Sequence, residues 1–292
     1  MSSLAAVRRS ARPTGGRRRG LRWTGLLAHT VLAVGATTMT IPFLWMLHTS
    51  TMPTAEAYKY PPILFPSRRA WENYTVALSL LPFGRFYLNS LIVSTSITLA
   101  QLLTCSMGAF AFARLRFPGR DALFLLYLAT MMIPFEVTLI PNFVIVRELG
   151  WIDTYWALTV PMVFSAYGTF LLRQYFKTIP GELDDAARID GAGYLTVYWR
   201  IFVPLSGPAL ATLGVFVFLF FWNTLLWPLV VTNSMEMRTV PFGLAMFLGK
   251  DQIVQWNLLM AASTVAVVPT LVVFLAAQKY FVQGITLTGI KG

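Results

Sequence analysis

Long apolar stretches alternate with short polar connections along most of the chain, and the apolar stretches have the length of membrane-spanning helices. A helix needs about 20 mainly apolar residues to cross the hydrocarbon core of a bilayer. Stretches of about this length lie at 25–47, 87–113, 122–140, 155–175, 209–231 and 258–280. The pattern predicts an all-α polytopic membrane protein with six transmembrane helices.

Prolines at positions 134, 161, 228 and 269 fall within these predicted spans. Proline lacks the backbone donor that a helix interior needs, and its ring bends the helix. Membrane helices tolerate such prolines where neighbouring helices or polar groups satisfy the freed carbonyls. We therefore expect a bundle of kinked helices.

The composition supports a membrane protein, because 56% of the residues are hydrophobic and only 12% are charged. Soluble domains carry about 25% charged residues. Cys105 is the only cysteine, which excludes an internal disulfide and a site built from several thiolates. His29 and His48 have no second ligand at a suitable spacing, so the sequence predicts no metal site.

The positive charges are distributed unequally between the two sides of the predicted bundle. Sixteen Lys and Arg residues fall on the side that holds both termini, and seven fall on the other side. Because Lys and Arg concentrate in cytoplasmic loops, both termini are predicted to be cytoplasmic. Seven arginines precede Trp23, so residues 1–22 are predicted to form a basic cytoplasmic tail, disordered and followed by the transmembrane region 23–292.

Nothing in the sequence indicates an active site. The string nearest to a phosphate-binding loop is 243–251, which has one residue too many between its glycines and carries Asp251 in place of Ser or Thr. No nucleophile has a base near it in the sequence. We therefore predict that the chain is not an enzyme.

The longest connection on the inner side, 177–208, has the signals of two short helices. Pro180 followed by three carboxylates at 182, 184 and 185 indicates a helix start, because negative side chains stabilise the positive end of the helix dipole. Gly191 and Gly193 end that helix, and a second one is predicted over about 194–203. This helix-turn-helix lies between the fourth and fifth spans.

Six residues of this connection have a family-specific spacing. Three residues separate the first triplet from the glycine, and nine more precede the last group, which gives Asp185-Ala186-Ala187, Gly191, and Ile201 to Pro204. The string resembles the signature Glu-Ala-Ala-x3-Gly-x9-Ile-x-Leu-Pro of the permease subunits of binding-protein-dependent ABC importers. Asp replaces Glu and Val replaces Leu. Beyond the tail, nearly the whole chain is similar to the carbohydrate-uptake branch of this family, of the maltose and glycerol-3-phosphate type.

The resemblance implies a permease subunit that imports a sugar or a sugar derivative through a bacterial or archaeal plasma (inner) membrane. It implies a second permease subunit, two cytoplasmic ATPase subunits and an extracytoplasmic solute-binding protein as partners. ATP and Mg would bind to the ATPase subunits, and this chain would hold no cofactor. The signature residues Asp185, Ala186, Ala187, Gly191, Ile201 and Pro204 would form the ATPase-coupling site.

Three residues are candidates for the substrate pathway. Asn223 and Trp222 are predicted to lie within the fifth span, where an amide and an aromatic ring could contact a sugar, and Glu136 lies near the outer end of the third. Asn223 could instead form a hydrogen bond between helices, and Glu136 could extend to the outer interface. An ion-coupled secondary transporter is the alternative function, but it requires carboxylates at mid-membrane, and Glu136 is the one candidate.

Overall fold

The structure is a computed structural model that describes residues 22–248 and 254–288. The regular elements in these ranges are all helical. The chain divides into two units, Met1–Trp45 and Met46–Gly292. All but the last residue of the predicted basic tail, 1–22, lies outside the described residues.

The helices differ greatly in length. In the described part of the chain the α-helices are α1 (Arg22–Ser50), α2 (Thr54–Ala57), α3 (Glu72–Leu80), α4 (Phe83–Arg114), α5 (Arg120–Ala129), α6 (Phe135–Glu148), α7 (Tyr155–Thr159), α8 (Ala166–Thr178), α9 (Glu182–Ile189), α10 (Tyr194–Val197), α11 (Val203–Leu205), α12 (Gly207–Trp222), α13 (Leu226–Val231), α14 (Val240–Met246) and α15 (Trp256–Thr288). Short 3-10 turns occupy Thr130–Met132, Val160–Met162 and Met235–Met237, and a π-helical turn occupies Tyr198–Phe202.

Among the described residues, three single helices, within α1, α4 and α15, are long and apolar enough to cross a membrane. Three further pairs meet the same criterion together but bend at a short break. The bends are 96° between α5 and α6, 45° between α7 and α8, and 78° between the segment Tyr194–Leu205 and α12. Counting each pair as one crossing gives up to six spans, the predicted number, and the third pair then includes the segment Tyr194–Leu205 of the connection between α8 and α12.

Two of the predicted kinks coincide with these bends. Pro134 is the residue before α6, where the 96° bend occurs, and its extended conformation (ψ 142°) ends the preceding helical segment. Pro161 lies in the 3-10 turn between α7 and α8. Pro269, in contrast, lies inside the continuous helix α15.

The predicted fifth span, 209–231, is not one helix. Helix α12 ends at Trp222, and α13 begins at Leu226. At the break, the side chains of Asn223 and Thr224 donate hydrogen bonds to backbone carbonyls four residues earlier, at 2.7 and 2.8 Å. Such side-chain donors compete with the backbone for those carbonyls at the break.

Helix α4 is central to the larger unit and packs against α8 and α12. Gly168 in α8 permits this close approach, because a Cβ there would lie 2.9 Å from Sγ of Cys105 in α4. One core cluster surrounds the contact and contains the fully buried Leu172 and Leu213. These contacts fix the end of α8, from which the connection to α12 emerges.

Candidate functional site

The connection between α8 and α12 contains two helices that meet at a glycine. Helix α9 begins with Glu182, Asp184 and Asp185 in its first turn. The second helix runs through the π-helical turn from Tyr194 to Leu205. The second helix continues two residues past its predicted end at residue 203, because Pro204 lies in the first turn of α11, where no backbone donor is needed. The sharp bend therefore follows Leu205.

Gly191 ends α9 in a left-handed conformation with φ 79°. Its N–H donates to the carbonyl of Arg188 at 3.0 Å, and the N–H of Ala192 donates to the carbonyl of Ala187 at 2.9 Å. This pair of hydrogen bonds is a Schellman motif, in which glycine is the favoured residue. Ala187 and Ala192 both pack against the core cluster. The spacing from Ala187 to Gly191 is therefore the spacing that this helix end requires.

The predicted coupling residues divide into two groups. Ala187 and Ile201 are partly buried against the core, and they position the two helices. The remaining four are exposed: Asp185, Ala186, Gly191 and Pro204. The structure therefore brings the signature together in one loop, where one group is packed against the core and the other is exposed.

One face of this loop is apolar although it is exposed to solvent. Ile189 is 86% exposed, Leu195 is 66% exposed and Leu183 is 39% exposed. Ala186 is also exposed and lies beside Leu183 and Ile189 at helical spacing. We name these four residues, together with Asp185, the coupling surface. Exposed apolar side chains grouped around a small residue are typical of a protein docking site.

Arg114, at the end of α4, connects α4 to the loop between α8 and α12. Its guanidinium lies 3.6 Å from the carboxylate of Asp184 in α9 and 4.9 Å from the ring centroid of Phe202. The same guanidinium donates to the carbonyl of Phe176 at 2.6 Å and to that of Ile179. One side chain thus connects α4 with the end of α8 and with both helices of the loop.

The sequence does not indicate this anchor, because Arg114 is only one of the sixteen positive charges on the side that holds both termini. Asp184 and Asp185 are also adjacent carboxylates that a sequence alone does not distinguish. In the structure, Asp184 faces Arg114 and Asp185 faces outward. Burial raises the pKa of the Asp184 carboxyl, and the opposing attraction of Arg114 is too small to cancel that effect.

The N-terminal part of α4 contacts a second loop, which contains Glu236 and Arg238. The side-chain amide of Asn89 donates to the carbonyls of Glu236 and Arg238 at 2.7 and 2.8 Å. Its oxygen accepts a hydrogen bond of 2.6 Å from the hydroxyl of Tyr155. Asn89 is fully buried. The two ends of α4 therefore anchor two different loops through polar side chains, among them Asn89 at one end and Arg114 at the other.

Asp153 lies at the same end of the bundle and has a strained backbone conformation, with φ 63°. Its carboxylate accepts the N–H groups of Asn233 and Ser234 at 2.9 and 3.0 Å, and its own N–H donates to the carbonyl of Val231 at 2.8 Å. Burial acts to raise the pKa of this carboxyl, but the hydrogen bonds from Ser234 and Asn233 outweigh it and hold the pKa below the usual value.

A cavity of about 640 Å³ lies between α4, α6, α8 and α12. Its walls are aromatic and aliphatic with a few neutral polar groups: Gln101, Phe135, Thr138, Asn142, Pro161, Met162, Phe164, Ser165, Tyr167, Leu213, Phe216, Val217, Phe220 and Phe221. None of these side chains is charged. The amide of Gln101 is committed to the carbonyl of Met162 at 2.6 Å, whereas Asn142 makes no hydrogen bond to the part of the chain that the structure describes.

The predicted pathway residues do not line this cavity. Trp222 is buried and its indole N–H donates to the carbonyl of Ala266 in α15 at 3.1 Å. Asn223 is exposed at the end of α12, and its side-chain amide bonds within its own helix and to no other helix of the described residues. Glu136 is exposed in the first turn of α6. A role for these three residues in the pathway stays a prediction.

Comparison with known proteins places this architecture among transport proteins. Residues 102–287 match the family described as binding-protein-dependent transport system inner membrane component. The sn-glycerol-3-phosphate transport system permease protein UgpE of Yersinia pestis bv. Antiqua (strain Antiqua) is 35% identical over 275 residues, covering 92% of this chain and 97% of that protein. The UgpE protein of Rhizobium meliloti (strain 1021) is 36% identical over 273 residues, covering 91% and 97%.

Two solved structures share the fold. A chain of a bacterial ABC transporter involved in the import of the acidic polysaccharide alginate superposes with a TM-score of 0.79 at 24% identity, covering 90% of this chain and 98% of that one. A chain of a bacterial alginate ABC transporter in complex with an alginate pentasaccharide-bound periplasmic protein gives a TM-score of 0.62 at 15% identity, covering 88% and 96%.

Proposed function

The chain belongs to the family of binding-protein-dependent transport system inner membrane components, and on that premise we propose that it conducts a sugar or a sugar derivative. It is a multi-pass inner-membrane permease subunit of an ATP-driven importer. Such subunits are not catalytic, because ATP is hydrolysed on separate ATPase subunits. Family membership thus supports the ATP-driven function and not the ion-coupled alternative.

We propose a complex of this chain with a second permease subunit, two cytoplasmic ATPase subunits that bind ATP and Mg, and an extracytoplasmic solute-binding protein. The apolar side chains of α1 between residues 26 and 45 are exposed, which suits contact with lipid or with the second permease. The charge asymmetry supports an orientation with both termini, and therefore the coupling surface, in the cytoplasm.

The coupling surface is the observation that carries this proposal. It presents Ala186 between exposed apolar residues on a short helix, so a partner can approach the helix backbone closely. The loop cannot move independently of the bundle, because Arg114 ties it to α4 and to the end of α8. A force that an ATPase subunit applies to α9 would therefore reach the spans directly.

We propose that the cavity forms this subunit's part of the pathway. Its aromatic walls can stack on sugar rings, and Asn142 and Tyr167 can form hydrogen bonds with hydroxyl groups. The lining favours a neutral sugar, since a phosphate group would find no cation in this wall. If the substrate is phosphorylated as in the named relatives, the second permease has to supply the positive charge.

The test is reconstitution of the complete importer in proteoliposomes with an Ala186→Trp variant. A large side chain at Ala186 should leave the chain inserted and its fold unchanged, since the site is exposed, but it should release the ATPase subunits and stop sugar uptake. Ala55→Trp is the matched control, because Ala55 is an exposed alanine on the short helix α2 away from the loop.

The two variants separate docking from general damage. We expect ATPase retention in a pull-down to fall at least tenfold for Ala186→Trp and to stay unchanged for Ala55→Trp. Normal retention and normal uptake with Trp at position 186 would show that this surface does not couple the chain to the ATPase.

A further inference from the structure

A second feature lies on the same side of the bundle as the coupling surface and takes no part in the proposed coupling. It is an open pocket of about 490 Å³ between the end of α4 and the start of α5, lined by Arg116, Phe117, Gly119, Arg120, Asp121 and Ala122. We name it the arginine pocket. Arg114, which anchors the coupling loop, precedes it by two residues and is not among its lining residues.

The charges in this region do not balance. Asp121 is the one carboxylate of the arginine pocket, and it pairs with Arg120 at 3.1 Å and with the buried Arg173 at 3.3 Å. Arg116 is exposed and makes no ion pair within the described residues. Two arginines thus share one carboxylate, while a third cation has none, and the pocket keeps a positive charge that an anion would compensate.

The surroundings identify the kind of anion. Leu123 lies one turn after Arg120 on the same face of α5 and is 56% exposed, and Leu126 is 68% exposed. The arginine pocket therefore lies beside the first turn of α5, and the exposed surface of α5 is apolar. A ligand that suits both parts has a negative headgroup and hydrocarbon chains, as an anionic phospholipid has.

We propose that the arginine pocket binds the phosphate headgroup of an anionic phospholipid, with the acyl chains along the exposed leucines of α5. Arg116 and Arg120 would hold the phosphate, because guanidinium groups form paired hydrogen bonds with its oxygens. Asp121, held by Arg173, would compete with the phosphate for Arg120, and neither Asp121 nor Arg173 would contact the lipid. The site would tie the loop next to Arg114 to the membrane surface.

The experiment measures how much dioleoyl-phosphatidylglycerol stays bound to the complete importer after extraction from vesicles that contain equal amounts of this lipid and of phosphatidylcholine. Each basic side chain near an anionic surface contributes about a factor of five to binding. The double variant Arg116→Gln, Arg120→Gln should therefore retain at least tenfold less phosphatidylglycerol. The control Arg68→Gln, Arg147→Gln removes the same charge from two exposed arginines outside the pocket, each with a carboxylate partner, and should retain the wild-type amount.

Further arms of the experiment distinguish the sources of the anion. Inorganic phosphate at millimolar concentration should not displace the lipid, and displacement would show a site for free phosphate instead. Unchanged lipid retention together with a loss of ATPase subunits would show that the pocket docks a protein, and it would overturn the proposal. If the double variant does not assemble, Asp121→Asn provides the test. Loss of the competing carboxylate should raise lipid retention at least twofold, and unchanged lipid retention would refute the site.

Discussion

Replacement of Gly191 by alanine tests whether the turn after α9 positions the coupling surface. With φ 79°, this residue has a conformation that disfavours any side chain, and the cost for a residue other than glycine is about 1–2 kcal/mol. An added Cβ would meet no atom within 4 Å, so no steric term increases that cost. The cost of the left-handed backbone conformation alone therefore determines how far Gly191→Ala destabilises the turn.

A cost of about 1–2 kcal/mol corresponds to a roughly 5- to 30-fold loss of the docking-competent turn. We therefore expect Gly191→Ala to lower ATPase retention by that factor in a pull-down at limiting ATPase concentration, while the amount of chain in the membrane stays constant. Asparagine tolerates the left-handed conformation better than alanine does, so Gly191→Asn should have a smaller effect.

Gly193 supplies the matched control two residues further along the same loop. Its φ of −74° and ψ of 163° are open to any residue, and a Cβ there would also meet nothing within 4 Å. Gly193→Ala should keep ATPase retention within about twofold of the wild type. Equal effects of the two substitutions would refute the backbone argument, because only the conformation at Gly191 requires glycine.

Three further predictions concern orientation and the two anchored loops. An impermeant thiol reagent should label Tyr60→Cys, whose side chain is 94% exposed, in intact cells, and Pro118→Cys only after the membrane is opened; the reverse pattern would invert the orientation. Arg114→Ala should destabilise the loop by about 1–3 kcal/mol, because the carbonyls of Phe176 and Ile179 and the carboxyl of Asp184 lose their donor. Asp184→Asn should cost less, because burial already disfavours the charged form of Asp184. Hydrogen exchange of α9 measures both effects, and equal protection in the two variants would contradict the anchor. Asp153→Ala should lower the free energy of unfolding by about 1–3 kcal/mol, and Asp153→Asn by less. Because the folded pKa of Asp153 lies below 3.8, its contribution is present above that pH and is lost as the pH falls through the folded value, so a thermal denaturation series should show the difference between wild type and Asp153→Ala shrinking in acid.

The features that the sequence predicts well depend on local physics. Apolar length alone locates the spans, because the bilayer sets the same length for each of them. Pro134 and Pro161 mark two of the bends, since a proline acts on its own helix. Gly191 marks the end of α9 for the same reason, as the turn depends on one residue's backbone.

The features that escape the sequence depend on contacts between distant residues. Arg114 and the carbonyl of Phe176 lie 62 residues apart, and no periodicity reveals that they meet. Which of Asp184 and Asp185 faces that arginine depends on the rotation of α9 about its axis. The sequence does not predict the end of α12 at Trp222, because only two polar residues, Asn223 and Thr224, interrupt the apolar run there.

The position of α4 has a mechanical consequence. Asn89 and Arg114 lie 25 residues apart on this single helix, or about 38 Å at 1.5 Å per residue. One end of α4 forms a hydrogen bond with the loop around Glu236, and the other end forms an ion pair with the loop that contains α9. A helix that tilts as a rod has to carry both attachments with it. We therefore expect a tilt of α4 that begins at one membrane surface to displace the loop at the other surface.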